Sequence, residues 1–300
     1  MKFWKALASF VLLVCIYQRS YAQDFDLMKI VDDNQVKKKE YTFATFKSTR
    51  AVNLHTSEVL GRRALDFRIA HRFSALNTGA YNAWGIDGPV NIQLSLEYSY
   101  DGRLMFGLAR SSQDKMVDVF LKYRLIRQTI DGKTPFSVTW FSGMYYNNTN
   151  LSAGGPSENM YANSTNRLSY VHQLIIARKF NSNFSFQISP TYVHYNIVNL
   201  TKENNDSYSM GFVTRIKYSK RAAIVLEYVL RLSTYSPATY YDSMGIGWEI
   251  ETGGHVFSVH LTNSLAIAEN EFIPYTNTSW SGGVNGGVRL GFNISRVFAL

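Results

Sequence analysis

From Ala64 onward, apolar and polar residues alternate with the period of two that gives a strand two different faces. Asn91–Ser111 shows this most plainly. Ile92, Leu94, Leu96, Tyr98 and Tyr100 alternate with Asn91, Gln93, Ser95, Glu97 and Ser99. Asp101-Gly102 predicts a tight primed turn with both residues at positive φ. On the return, Leu104, Phe106 and Leu108 alternate with Arg103, Met105, Gly107 and Ala109. The same pattern recurs in Leu65–Phe73, Val117–Arg124, Phe136–Trp140, Arg167–Phe180, Phe184–Tyr195, Ser207–Tyr218, Ala222–Leu232, Met244–Glu251, Phe257–Thr262 and Gly286–Phe298.

The connections alternate between tight (101–102, 181–183, 219–221, 253–254) and long (74–89, 147–167, 197–206, 233–242, 267–284). A soluble β-sandwich accounts for the alternation of side chains but not for this asymmetry. A transmembrane barrel accounts for both, with short periplasmic turns and long extracellular loops. Tyr98, Tyr100, Tyr123, Tyr145, Tyr146, Tyr218, Tyr228 and Trp248 stand towards strand ends, where interfacial aromatics belong. The expected fold is all-β: one transmembrane antiparallel β-barrel over residues 61–300. Placing every tight turn on the periplasmic side gives twelve strands. Tyr41–Leu60 alternates poorly and would make a thirteenth strand, which an even-numbered barrel with both ends inside rejects. It is expected in the lumen or the periplasm; fourteen strands follow if it pairs with a further strand.

Met1–Ala22 reads as a cleaved secretory signal. Lys2 and Lys5 precede the apolar run Ala6–Tyr17, and Ser20-Tyr21-Ala22 is a small-x-small cleavage site. Residues 23–60 then form a periplasmic or lumenal N-terminal segment. Lipidation of Cys15 is disfavoured by Val14 before it. No run of eighteen apolar residues follows, so no transmembrane helix is expected.

Composition supports lipid as the apolar medium. Aromatics are 15% of 300 residues, yet mean hydropathy is −0.15, which suits strands that face lipid on one side and a polar lumen on the other. Cys15 is the only cysteine, so the exported chain has neither a disulfide nor a thiolate metal site. The net charge of +9, less Lys2, Lys5 and Arg19, is +6. Its cations are scattered along strands, with Lys37-Lys38-Lys39 as a short solvated cluster, which argues against nucleic acid as a partner.

His71-Arg72-Phe73, Leu96-Glu97-Tyr98, Gly107-Leu108-Ala109-Arg110-Ser111 and Phe120-Leu121-Lys122-Tyr123-Arg124, followed by Gln128, carry a resemblance. Over Thr42 to Leu300 the chain resembles a family of predicted outer-membrane β-barrel proteins of unknown function from Gram-negative bacteria. The resemblance implies fold and compartment, the cell outer membrane, and offers no catalytic residue. One departure lies at the end: Phe298 is followed by Ala299-Leu300, and Arg296 stands where a second apolar residue is usual.

No catalytic, metal or cofactor site is expected. Along one strand His260 lies about 7 Å from Ser258 and about 13 Å from Ser264, too far for a nucleophile and its base. His172 and His194 fall on the apolar face. His55 with Glu58, and His71, lack metal-like spacing. Gly282-Gly283 and Gly286-Gly287 precede a strand rather than a helix, so they make no phosphate loop. The informative set is the inward-facing charge: Asp66, Arg68, Arg72, Glu97, Arg103, Lys122, Arg124, Arg215, Lys217, Glu227, Arg231, Glu249, Glu251 and Arg289. Two readings stand: an ion-pair lattice that plugs a narrow barrel, or a charged pore lining that selects small solutes. The expected function is a channel or binding site for small polar solutes without catalysis. The alternative is a non-conducting structural or accessory subunit of an envelope complex, with other envelope proteins as partners; a lipid-modifying enzyme comes third. Outer-membrane lipid is the partner common to all three.

Overall fold

β1, Ala64–Ala75, buries Asp66, Arg68, Ala70 and Arg72 on one face and leaves Leu65, Phe67, Ile69 and His71 on the other. Eleven further strands repeat that division: β2 Asn91–Ser99, β3 Leu104–Ser111, β4 Val117–Ile126, β5 Ser137–Tyr146, β6 Leu168–Lys179, β7 Phe184–Tyr195, β8 Asp206–Lys217, β9 Ala222–Arg231, β10 Ser243–Thr252, β11 His255–Thr262 and β12 Arg289–Ala299. This is a computed structural model, and it describes residues 39–149, 161, 163–198, 204–233, 240–281 and 287–300. The signal expected at Met1–Ala22 and residues 23–38 lie outside the described residues, as do stretches of four of the long loops.

Each strand pairs antiparallel with its neighbours in sequence, and β1 closes on β12 in the register Ala64↔Ala299 to Arg72↔Gly291. The twelve-stranded antiparallel barrel is therefore as the alternation predicts, and residues 41–60 add no strand to the wall. Strands of 8 to 12 residues fit the roughly 9–11 residues that a tilted strand needs to cross a bilayer. Outward-facing Phe67, Leu96, Phe106, Leu108, Trp140 and Val259 are exposed, forming the apolar belt that lipid covers. The tight turns lie on one rim, the turn rim, together with the start of β1 and the end of β12. The long loops lie on the other, the loop rim.

The β2–β3 turn corrects one expectation. Only Gly102 has positive φ (82°), so Asp101 does not take part in a primed two-residue turn. The loop is four residues, and the Asp101 carboxylate organises it by accepting hydrogen bonds from the Arg103 and Leu104 amides at 2.8 and 2.7 Å. Those two amides hold the Asp101 carboxyl below the ordinary carboxylate range. The longer loop takes Arg103 out of the ladder, so it is exposed at the turn rim rather than in the lumen.

The interior is filled by the chain itself. Residues 44–60 enter from the turn rim as a hairpin-like plug. Thr56 N donates to Thr49 O (2.9 Å) and Ala51 N to Leu54 O (2.8 Å), which bends the chain at Val52-Asn53. Arg50, Val52, Asn53, Leu54 and His55 are at most 2% exposed. From the loop rim, residues 263–276 fold inward, and helix α1, Glu269–Tyr275, packs over β6 to β9. Small wall residues make room for the plug. A Cβ on Gly245 would lie 2.8 Å from Val52 Cγ1, and one on Gly211 would lie 2.8 Å from Leu54 Cδ1. Gly245→Leu is therefore expected to loosen the plug tip, at an overpacking cost of about 1–3 kcal/mol. Protease cleavage within 41–60 should accelerate while the barrel keeps its heat-modifiable migration in gels. Unchanged cleavage would show that the plug does not depend on this contact.

Candidate functional site

The lumen charges bind the plug more than they bind each other. Glu227, from β9, accepts three consecutive backbone amides at the plug tip: Val52 (3.1 Å), Asn53 (2.9 Å) and Leu54 (2.9 Å). Successive N–H groups at a bend form an anion-binding concavity, here filled by a side chain of the wall. Arg72, from β1, completes the grip on the carbonyl side of the bend. Its Nη2 donates to Val52 O and Asn53 Oδ1, both at 2.9 Å, and its Nη1 donates to Asn293 Oδ1 (3.0 Å). Asn293 Nδ2 returns a bond to Val52 O (2.9 Å).

Lower on the plug, Thr49 donates to Glu97 (2.6 Å) and accepts from Arg68 (2.6 Å), which also pairs with Asp66 (2.8 Å). Lys122 Nζ donates to Glu58 O (2.7 Å) and Thr49 O (3.3 Å). Arg124 donates to Val59 O (3.0 Å). Gln187 accepts from Ser57 N (3.0 Å) and donates to His55 O (2.8 Å). Between these wall partners and the bonds within the plug, most polar backbone groups of its middle are satisfied, as burial requires.

Plug and inward loop meet at a buried junction. Arg50 Nη1 lies 2.5 Å from Glu269 Oε1, the His55 Nε2 edge lies 3.3 Å from the same oxygen, and Tyr145 OH donates to Glu269 Oε2 (2.7 Å). Arg50 Nε is 3.9 Å from Glu97. One acid of the loop therefore ties the wall (Tyr145) to the plug (Arg50).

The rest of the predicted charge set is divided. Arg215 and Glu249 pair across β9 at 2.9 Å, which with Arg68–Asp66 is the part of the set that pairs within the wall. Glu251 pairs instead with Lys47 of the N-terminal segment (2.5 Å). Arg231 binds Asp242 and the Tyr240 carbonyl at the loop rim. Lys217 is half-buried at the turn rim, and Arg289 is buried at the loop rim with Nε unpartnered. Arg103 is the member that the structure removes from the lumen. Sequence reading omitted Arg50, Asp118, Glu269 and Glu271. Asp118 carried the parity signal; the other three lie in segments without a strand period.

Among the described residues, cavities open at both rims. One, of about 410 Å³, opens beneath the plug and is lined by Glu58, Arg62, Asp101, Arg103, Arg124 and Arg127 among others. The other, a vestibule of about 390 Å³ at the loop rim, is lined by Asp114, Asn147, Arg167, Tyr195, Asn270 and Glu271 among others. Between plug and wall a gap of about 10 Å³ borders Arg50, Arg68 and Glu249, room for about one water at most.

The histidines divide differently. His260 is fully buried with both ring nitrogens unpartnered. On the lipid-facing side, Ser142 Oγ lies 3.0 Å from His172 Nδ1 across β5 and β6, a pairing that cross-strand register, not strand parity, creates. Among the described residues no carboxylate or amide orients the other nitrogen of His172, so the pair lacks the third member that a hydrolytic constellation uses. Among them, too, no group of three or more His, Cys, Asp or Glu gathers as a metal site.

No curated protein matches the chain. Solved structures similar to it include the NanC porin (8% identity, covering 79% of this chain and 99% of that one, TM-score 0.47), the KdgM porin (10%, 78% and 99%, 0.44) and an outer membrane channel from Pseudomonas putida F1 (14%, 81% and 98%, 0.47). These likenesses are too distant to transfer a cargo. Residues 46–298, from the plug to the last strand, match the family described as membrane bound beta barrel domain (DUF5777), and the chain belongs to that family.

Proposed function

We propose that the protein is an outer-membrane barrel that receives a small polar solute in its loop-rim vestibule without chemistry, and that residues 44–60 close its lumen at rest. The observation that carries this reading is the grip of Glu227 on the Val52–Leu54 amides. With the Arg50–Glu269 ion pair and the packing of Val52 and Leu54, it holds the plug in the lumen. An even strand number with β1 starting and β12 ending on the tight-turn side supports an outer-membrane orientation with the turn rim in the periplasm. The cleavable signal proposed at Met1–Ala22 would deliver the chain there.

A second reading, a non-conducting structural subunit, is favoured by how densely the plug is bonded. Planar-bilayer conductance separates the two. The full chain is expected to be silent, and deletion of residues 41–60 is expected to open steady channels. A conducting full chain would refute the closed lumen. Silence of both proteins would sink the passage reading and leave the structural one.

A further inference from the structure

Glu271, on α1, faces the vestibule. It is 8% exposed, and neither carboxyl oxygen meets a hydrogen-bond donor. Beside it Asn270 is 1% exposed. Its amide nitrogen donates to Ser169 Oγ (2.9 Å), while its Oδ1 has no donor. The groups that act on Glu271 are themselves acids: Asp114 in the β3–β4 connection and Asp118 on β4. Burial and these two acids push the Glu271 carboxyl well above its usual range. Glu269, on the same helix, is turned away to Arg50 and Tyr145. Arg167, the cation lining the vestibule, is occupied by the Asn147 and Thr149 carbonyls and stacks over Tyr161. Tyr195 and Tyr240 flank Tyr275 with ring centroids 5.2 and 5.0 Å apart, forming an aromatic wall.

While protonated, Glu271 can share its proton with Asp114; once it ionises, Glu271 and Asn270 Oδ1 are acceptors that meet no donor, and the corner is complete only when a ligand brings donors. Carboxylates and aromatic faces both favour that ligand being a cation. A hard divalent ion asks for six or more oxygens, whereas an ammonium group brings three donors of its own. We propose that Glu271, Asn270 Oδ1 and Asp114 bind the ammonium group of a small amine, with the tyrosines against its carbon chain. The proposal rests on the reading of the vestibule as the solute-receiving end. Since a protonated Glu271 must ionise to meet the cation, binding releases a proton and tightens as pH rises.

The test is isothermal titration of the full chain in detergent with putrescine, with 1,4-butanediol as the neutral isostere and calcium chloride as the metal arm. Putrescine is expected to bind at least about tenfold more tightly than the diol. Affinity should rise with pH above the ordinary carboxylate range, with proton release visible in buffers of different ionisation heat. Glu271→Gln should weaken binding about tenfold or more and remove the pH dependence. Asp114→Asn should move the pH profile to lower pH by relieving repulsion on Glu271. Equal binding of diol and putrescine, an unchanged Glu271→Gln, or binding of calcium in place of putrescine would overturn the proposal. If Glu271→Gln does not insert as a folded barrel, the wild-type pH profile decides alone. Opening of the lumen by deletion of 41–60 is read by conductance and needs no amine. Its success alongside failed amine binding would therefore reject the ligand class and leave the stoppered barrel standing.

Discussion

Glu227→Ala is expected to free the plug tip without unfolding the barrel. The carboxylate is the partner of three adjacent buried amides, and removing it leaves donors that no neighbouring wall residue replaces. Each unsatisfied buried donor costs about 1–3 kcal/mol. Local opening of the tip should therefore become easier by about 3–5 kcal/mol, the range seen when one partner of a buried charged contact is removed. Hydrogen exchange of the Val52, Asn53 and Leu54 amides should accelerate by about 10²-fold or more, while amides in β8 to β10 keep their protection. In planar bilayers the variant should show intermittent openings where the full wild-type chain is silent. Unchanged exchange at the tip would mean that Arg72 and Asn293 suffice to hold it. Glu227→Gln should fall between, because one amide oxygen still accepts while its NH₂ group faces the same donors.

The second large effect is expected at the junction of plug and inward loop. Arg50→Ala removes the cation within 2.5 Å of Glu269 and 3.9 Å of Glu97, and both carboxylates are fully buried. A buried carboxylate that loses its partner costs about 3–5 kcal/mol. Arg50→Met/Glu269→Gln, which removes both charges and keeps much of the volume, should recover a large part of that loss. The Tyr145 hydroxyl would retain an acceptor in the new amide. The thermal midpoint of heat-modifiable gel migration reads the effect, and the four proteins of the cycle give the coupling between the residues. A coupling near zero would mean that this pair does not lock plug to loop.

Most of the wall was legible. Lipid on one face and a filled lumen on the other select side chains by parity, so the strands could be located to within a few residues, and Asp66, Arg68, Arg72, Glu97 and Lys122 could be assigned inward before any contact was known. Two local features were not. Asp101-Gly102 fits more than one turn, and the choice fell to the Asp101 side chain capping two amides, which shortened the ladder and expelled Arg103. The Glu269–Tyr275 helix carries Pro274 and only seven residues, too short for a helical period to show. It forms because β6 to β9 give it a surface to pack against.

The plug was the least legible element because its order comes from elsewhere in the chain. Residues 41–60 alternate poorly, and their bonds reach Glu227, Gln187, Glu97 and Glu269, between 48 and 219 positions away. By itself the sequence determined a barrel wall of about twelve strands, which face meets lipid and, Arg103 apart, which of the predicted charges point inward, because a period of two is a local property of the chain. Only the tertiary structure decided what those charges hold. A carboxylate facing a lumen looks the same in sequence whether it lines water or caps three amides, and the difference arises when distant backbone is brought within hydrogen-bond reach.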